Sequence, residues 1–341
     1  MTHGLKILFL VNWAEGGSWP FLKAVAPYLA KADLLHARTF AHPPVSRVNP
    51  YSVKGSEFYL PLKALAMRRH YDLIVSWSLR MGMVYGLLNR IAGAKRGGLH
   101  VVQDFHVNPL RHDPAYRLRL QWLRLARPGI GFYWCTSSEE EVLYAQVFDI
   151  PRERLRFLPQ APPDRYLAYP ILQHQDYVFA YGNIDRSFET LIRACADMKI
   201  TVRILSQRYA PGGSLPKNVE LIQSRMPEAE LMRLAAQARL IVIPLQDYRI
   251  AAGQLSMLEA MALGKPVVVT ENLATKEYAM HGETALFFTA GDTHGLRHNI
   301  QSLLESPHLA EAMGAKARMA VSTLHERRIA IFRDTVLGMA R

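Results

Sequence analysis

The chain has 341 residues, half of them hydrophobic and 21% charged, a length and composition that suit two globular domains and exclude a disordered or fibrous class. Its two cysteines, Cys135 and Cys195, exclude a disulfide framework, and the opening run LKILFLVNW has neither the cleavage site of a signal peptide nor the length to span a bilayer. The net charge of +12 attracts polyanions, but it is scattered along the chain and comes with no nucleic-acid module, so nucleic acid is not an expected partner. Lys6–Asn12 then reads as a buried strand, Trp13–Pro20 as a loop with Gly16 and Gly17, and the stretch to about Leu29 as a helix, the order of a Rossmann-like half. The full G-x-G-x-x-G fingerprint is absent, which argues against a dinucleotide dehydrogenase.

Asp33–Phe40 and Asp72–Trp77 are the next expected strands, with a proline-rich loop at Pro43–Ser56 and a helix at Tyr59–Arg69 between them. Met81–Ile91 reads as an apolar helix and His100–Phe105 as a fourth strand. That strand runs into QDFHVNPLRHD, and the carboxyl ends of parallel strands are where α/β proteins hold ligands. Asp104 and His106 in this loop are candidates to position a hydroxyl or take its proton. Tyr116–Arg127 places Leu120, Trp122 and Leu123 on one side and Arg117, Arg124 and Arg127 around the rest. Such a helix either lies on an anionic membrane or half-buries itself against the sheet with its arginines in solvent. Gly131–Thr136 and Leu155–Pro159 are strands, separated by a helix capped by Ser137 or Ser138, with Glu139–Glu141 in its first turn. Pro159–Gln175 has four prolines and no periodicity, and is the expected linker.

The second half opens with Tyr177–Tyr181 and the sequence GNIDRSF, where a glycine and a cation, Gly182 and Arg186, precede a helix in the manner of a diphosphate contact. Strands at Thr201–Ser206 and Val219–Ser224 and a helix at Pro227–Ala236 lead to a strand–loop–helix–strand unit. Its parts are Leu240–Leu245, Asp247–Ala252, Gln254–Leu263 and Pro266–Thr270. Leu255, Leu258 and Ala262 are the stripe expected to face the sheet, and Gly264 is the expected left-handed cap. Gly253, Ser256 and Glu259 share one face starting at the helix N-terminus. A phosphate can rest on the exposed N–H groups there, and a carboxylate further along can accept both hydroxyls of a ribose. Gly282–Phe288 is a turn and strand, followed by helices at His294–Leu304, Leu309–Leu324 and Arg327–Met339.

The run AAGQLSMLEAMALGKPVVVTENLATKEYAMHGETALFF resembles the donor-binding segment of retaining nucleotide-sugar glycosyltransferases of the GT-B fold, family 4 (glycosyl transferases group 1), in a G-Q variant of the motif. The resemblance implies two Rossmann-like α/β domains facing across a cleft, with a C-terminal helix crossing back to the first. The domains are expected at 1–165 for the acceptor and 176–322 for the nucleotide-sugar, with 323–341 as the crossing helix. By the resemblance Glu259 is the ribose-binding acid, while the first acid of the family's pair, eight positions earlier, falls on Ala251 and is missing. Gln103 replaces a family histidine and Asp104 keeps the adjacent acid. Asn183 replaces the first arginine of a G-R-S-x-R-D-Y pattern and Arg186 retains the second. The turn with Arg225 and Met226 corresponds to the base-binding segment, the Gly16–Gly17 loop lies near the phosphates, and Glu277 matches a recurrent acid.

No D-x-D pair, Walker motif, zinc spacing or G-x-S-x-G elbow is present, so no metal or cofactor is expected. The leaving diphosphate would instead meet Arg186 and the helix start made by Gly253, Gln254, Leu255 and Ser256, and closure of the domains would exclude water. The expected activity is metal-independent transfer of a sugar, with retention implied by the family alone, to a glycan, lipid-linked or small-molecule acceptor. The expected location is cytoplasmic, with peripheral contact to an anionic inner membrane face. Two other readings stand beside it. The changed positions 103, 183 and 251 suit a nucleotide-sugar or polyanion binding protein without turnover, and the fold also suits a sugar-nucleotide epimerase.

Overall fold

The computed structural model describes residues 4–12, 19–36, 55–108, 113–247 and 249–339. The candidate glycines Gly16 and Gly17 lie outside the described residues, as do positions 43–54 of the proline-rich loop expected at Pro43–Ser56. The chain divides into two units, Met1–Leu158 with Arg328–Arg341, and Pro159–Arg327.

In the first unit, six short strands form a sheet whose central members are apolar and covered on both faces, as parallel sheets require. They are β1 (Lys6–Val11), β2 (Lys31–His36), β3 (Leu73–Trp77), β4 (Leu99–Gln103), β5 (Phe132–Cys135) and β6 (Leu155–Phe157), in the all-parallel order β2-β1-β3-β4-β5-β6. One face packs on α1 (Pro20–Val25) through Phe21 and Val25. The other carries α2 (Ser56–Met67) and α3 (Leu79–Ile91), whose Leu60, Ala64, Met81 and Tyr85 meet Leu8, Leu10 and Ile74. A third cluster gathers α4 (Pro114–Ala126) and α5 (Ser138–Phe148) around Phe105, Tyr133 and Tyr144. The final helix, α13 (Leu324–Met339), returns to this unit. Its Phe332 and Val336 are each 1% exposed within the β1 cluster, and the Phe332 ring lies 5.1 Å from that of Trp134.

The second unit repeats the plan with β7 (Tyr177–Tyr181), β8 (Thr201–Leu205), β9 (Val219–Ile222), β10 (Leu240–Ile243), β11 (Val267–Thr270) and β12 (Leu286–Phe288). Their order is β12-β11-β10-β7-β8-β9, again parallel. The chain builds outward from β7 to β9 and then restarts beside β7 with β10. The carboxyl ends of β7 and β10 therefore flank a topological switch point, where open α/β sheets form a ligand crevice. Everything in the candidate donor segment is placed by this adjacency.

Several expectations change in detail. Helix α9 (Gln254–Ala262) is capped by Gly264 at φ +71°, and of its expected stripe Leu258 and Ala262 are buried while Leu255 is 46% exposed. Met257, Ala260 and Met261 are buried as well, because a further helix of the unit packs on α9 in addition to β10 and β11. The stretch expected to be a plain linker contains α6 (Asp164–Leu167), which buries Tyr166. In α4 the buried residues are Tyr116, Leu123 and Ala126. The apolar side expected from Leu120, Trp122 and Leu123 packs against the cluster of Phe105, Tyr133 and Tyr144, Leu123 buried and the other two partly so, while Leu118 and Leu125 face solvent. Among the described residues no helix is long and apolar enough to cross a membrane.

Candidate functional site

The densest polar arrangement of the second unit lies at the switch point. Helix α9 starts after Gly253, whose φ of +79° is a left-handed value open to glycine without strain. A glycine at this N-cap carries no side-chain oxygen to occupy the first-turn N–H groups. One turn later Ser256 Oγ accepts a hydrogen bond from Arg186 Nη2 at 3.0 Å. The same guanidinium donates from Nε to Tyr181 O at 3.0 Å and from Nη1 to Ile184 O at 2.9 Å. One N–H remains on each terminal nitrogen of the five-donor fork. Gly182 makes this possible, since a Cβ there would sit 2.5 Å from Arg186 Nη2, and its φ is +129°. Arg186 is thus a braced cation beside a helix N-terminus, the combination that suits a diphosphate.

Glu259 sits on the same face of α9. Tyr181, at the carboxyl end of β7, donates its hydroxyl to Glu259 Oε2 at 3.2 Å and to Ser256 O at 3.0 Å. Burial raises the Glu259 carboxyl to about 7, with the Tyr181 hydrogen bond pulling the other way. Burial, and then the nearby Glu259 charge, raise the phenols of both Tyr181 and Tyr166. A carboxyl held among two tyrosines and an arginine is a hydrogen-bond acceptor kept in a low-dielectric recess, where a pair of sugar hydroxyls would be recognised strongly.

Of the remaining expected residues in this unit, Gln254 is buried, Arg225 is exposed and Met226 is half-buried in the turn after β9. Asn183, in the place of the family's first arginine, accepts from Ser206 Oγ at 3.1 Å and Gln207 N at 2.9 Å. It ties the β7 loop to the end of β8. Ala251 is 4% exposed, so the position of the missing acid is filled by a methyl group in a packed loop. That loop is held by a buried residue that sequence reasoning missed: Asn272 donates to Ala252 O at 3.0 Å and accepts from Ala274 N and Thr275 N. Thr270 adds to it, its hydroxyl accepting from Leu245 N at 2.8 Å. The only outward signal was two polar residues, Thr270 and Asn272, closing an otherwise apolar strand. Glu277 is half-buried on α10 (Thr275–Tyr278).

In the first unit Asp104 follows β4 with φ +52°, uncommon for a residue with a side chain, and burial raises its carboxyl while Arg328 and His106 oppose that shift. His106 Nδ1 lies 3.3 Å from Glu140 Oε1. Glu140 is fully buried, and its carboxyl also accepts from Thr136 N and Oγ1, both at 2.8 Å, and from the Tyr144 hydroxyl at 2.5 Å. The sequence places Glu140, with Glu139 and Glu141, in a first turn suited to the helix dipole. The structure makes it the hub that orients His106, because α5 starts directly at the carboxyl end of β5 and turns this position inward. Gln103, in place of the family's histidine, is fully buried.

Residues 211–320 match the family model for Glycosyl transferases group 1, which covers the α9 segment. The chain is 22% identical over 313 residues, 83% of its length and 80% of the relative's, to the "Putative glycosyltransferase EpsD" of Bacillus subtilis strain 168. Sucrose-phosphate synthase from Thermosynechococcus elongatus has a similar structure, with a TM-score of 0.70 at 17% identity, covering 98% of this chain and 99% of that one. The Anabaena protein HepE, solved in complex with UDP, has a TM-score of 0.68 at 16% identity, covering 98% and 100%. HepE was also solved with UDP-glucose. Residues 211–320 of the second unit are therefore similar to Glycosyl transferases group 1, within a two-sheet fold of the GT-B type.

Proposed function

We propose that the protein transfers a sugar from a nucleoside diphosphate to an acceptor hydroxyl, with retention and without a metal. The observation that carries the donor half is the convergence of Gly253, Ser256, Glu259, Arg186 and Tyr181 at the carboxyl ends of β7 and β10. In this reading the α9 N-terminus and the two uncommitted N–H groups of Arg186 receive the diphosphate. As the glycosidic bond to the phosphate breaks, charge grows on the leaving oxygen, and donors already fixed in place stabilise it without reorganising. Glu259 accepts the ribose hydroxyls. Asp104 and His106, the latter held by Glu140, receive the acceptor hydroxyl and its proton.

UDP-glucose is the first donor to test, because a structural neighbour was solved with it. Incubated with acceptor fractions, the purified chain should release nucleoside diphosphate, keep its rate in EDTA, and give a product with the anomeric configuration of the donor by NMR. Arg186→Ala and Glu259→Ala should each lower turnover by about a hundredfold or more. Absence of nucleoside diphosphate release with every donor and acceptor tried would sink the transfer reading. Full activity in both variants would sink the residue assignment.

A further inference from the structure

The loop 182–187, which brings Arg186 to Ser256 in the first turn of α9, is held from both sides. On one side Gly182 N donates to Leu205 O, at the end of β8, at 3.1 Å. Asn183 Oδ1 then accepts from Ser206 Oγ at 3.1 Å and from Gln207 N at 2.9 Å. A backbone N–H can only donate, so the atom it meets is the carbonyl oxygen and the carboxamide has one orientation. On the other side, past the end of β10, Ser187 N donates to Pro244 O at 2.8 Å and Gln246 N to Asp185 O at 3.2 Å. The Gln246 side chain adds a bond from Nε2 to Arg186 O at 3.1 Å. Between these ties the backbone runs through Gly182 at φ +129° and Asp185 at φ +54°. A residue with a side chain persists in the left-handed region only where its surroundings over-determine it, and the two sets of ties do so here.

Asn183 and Gln246 are both exposed, so neither is needed to fill the core. The resemblance puts an arginine at 183, and an arginine has no acceptor to offer Ser206 or Gln207. The clasp onto the β8 loop is open to this chain because that arginine is absent. We propose that Asn183 and Gln246 are positioning residues for Arg186, each fixing one side of its loop so that the guanidinium is in place before a diphosphate arrives. The proposal rests on the reading of Arg186 as a diphosphate ligand and adds how that cation is kept ready. An arginine on an untied loop has to be ordered at the moment of binding, which lowers affinity; here the folded chain has already ordered it. With one cation where the resemblance implies two, affinity depends on how firmly the remaining one is held. Asn183 supplies both side-chain bonds on its side, whereas backbone bonds reinforce the one from Gln246, so Asn183 carries the larger share.

The test is calorimetry of the full chain with UDP, GDP and ADP, continued with whichever binds the unmodified protein. Asn183→Ala should weaken that binding about fivefold to tenfold, and Gln246→Ala about threefold. Both losses should shrink to within about twofold in an Arg186→Ala background, which a general loosening of the unit would not produce. Hydrogen exchange of the ligand-free chain should quicken across residues 182–187 in both variants and stay unchanged in α9. Binding that both variants leave within about twofold overturns the proposal while the donor reading stands. Losses that persist undiminished without Arg186, or unchanged exchange across the loop, overturn it in the same way. If none of the three nucleotides binds the unmodified protein, the donor reading fails and the proposal falls with it.

Discussion

Glu259 and Tyr181 form the smallest unit with a measurable consequence. In the proposed reading donor hydroxyls would pair with the ionised carboxylate, and burial raises that carboxyl to about 7. Affinity for UDP-glucose, which itself does not titrate in this range, should therefore be about tenfold weaker at pH 6 than at pH 8, following the competent fraction. Calorimetry across that range measures it, and a flat profile would contradict the ribose role. The Tyr181 hydroxyl lowers the carboxyl's pKa, so Tyr181→Phe should move the midpoint upward and weaken binding at pH 7 several-fold. Stability gives the independent check. The folded-state value is raised above the model value of 4.5, so the contribution is complete below about pH 4.5, shrinks as pH rises, and is gone above about 7. Glu259→Gln should be neutral near pH 4 and gain on the order of 2 kcal/mol near pH 8, read by urea unfolding of the second unit. A gain of the same size at both pH values would show that packing, not ionisation, is responsible.

At the level of the elements, polar side chains set the geometry of the strand-to-helix connections. Glu140 joins the end of β5 to the first turn of α5 and collects Thr136, Tyr144 and His106 at one carboxyl. Glu140→Ala would leave buried donors without acceptors and should destabilise the first unit by about 2–4 kcal/mol, a loss visible in chemical denaturation and largely recovered in Glu140→Gln. This junction also shows where sequence reading stops. The β5 strand and the Ser137 start of α5 were legible from an apolar run followed by a capping residue. The inward turn of Glu140 was not, because three consecutive glutamates have identical propensities and only the strand's end point decides which faces the core. Helix α9 repeats the lesson. Gly253 and Glu259 stood out through spacing, whereas the exposure of Leu255 and the braces from Tyr181 and Asn272 depend on elements far away in the chain.

At the scale of the molecule, two parallel sheets were readable, since strands alternating with helices leave few topologies, whereas the β7–β10 adjacency is visible only in the structure. The return of the last helix to the first unit now has atomic content in Phe332, whose ring meets those of Phe9, Phe21 and Trp134. Phe332→Ala should cost about 3–5 kcal/mol and act on the first unit alone. Hydrogen exchange resolved by segment would show faster opening of β1 and β3 with β7 and β10 unchanged, and loss of protection in both sheets would contradict an independent second unit.

The discontinuity of the first unit bears on biosynthesis. Residues 159–327 are a continuous stretch, whereas the sheet begun at Lys6 receives Phe332 and Val336 only after that whole stretch has been translated. On the ribosome the second unit can consolidate while the earlier-made half still waits for its closing segment. A nascent chain that stalls or is cut before residue 328 would carry a finished second unit and an unfinished first one, with exposed apolar surface for chaperones and proteases to find.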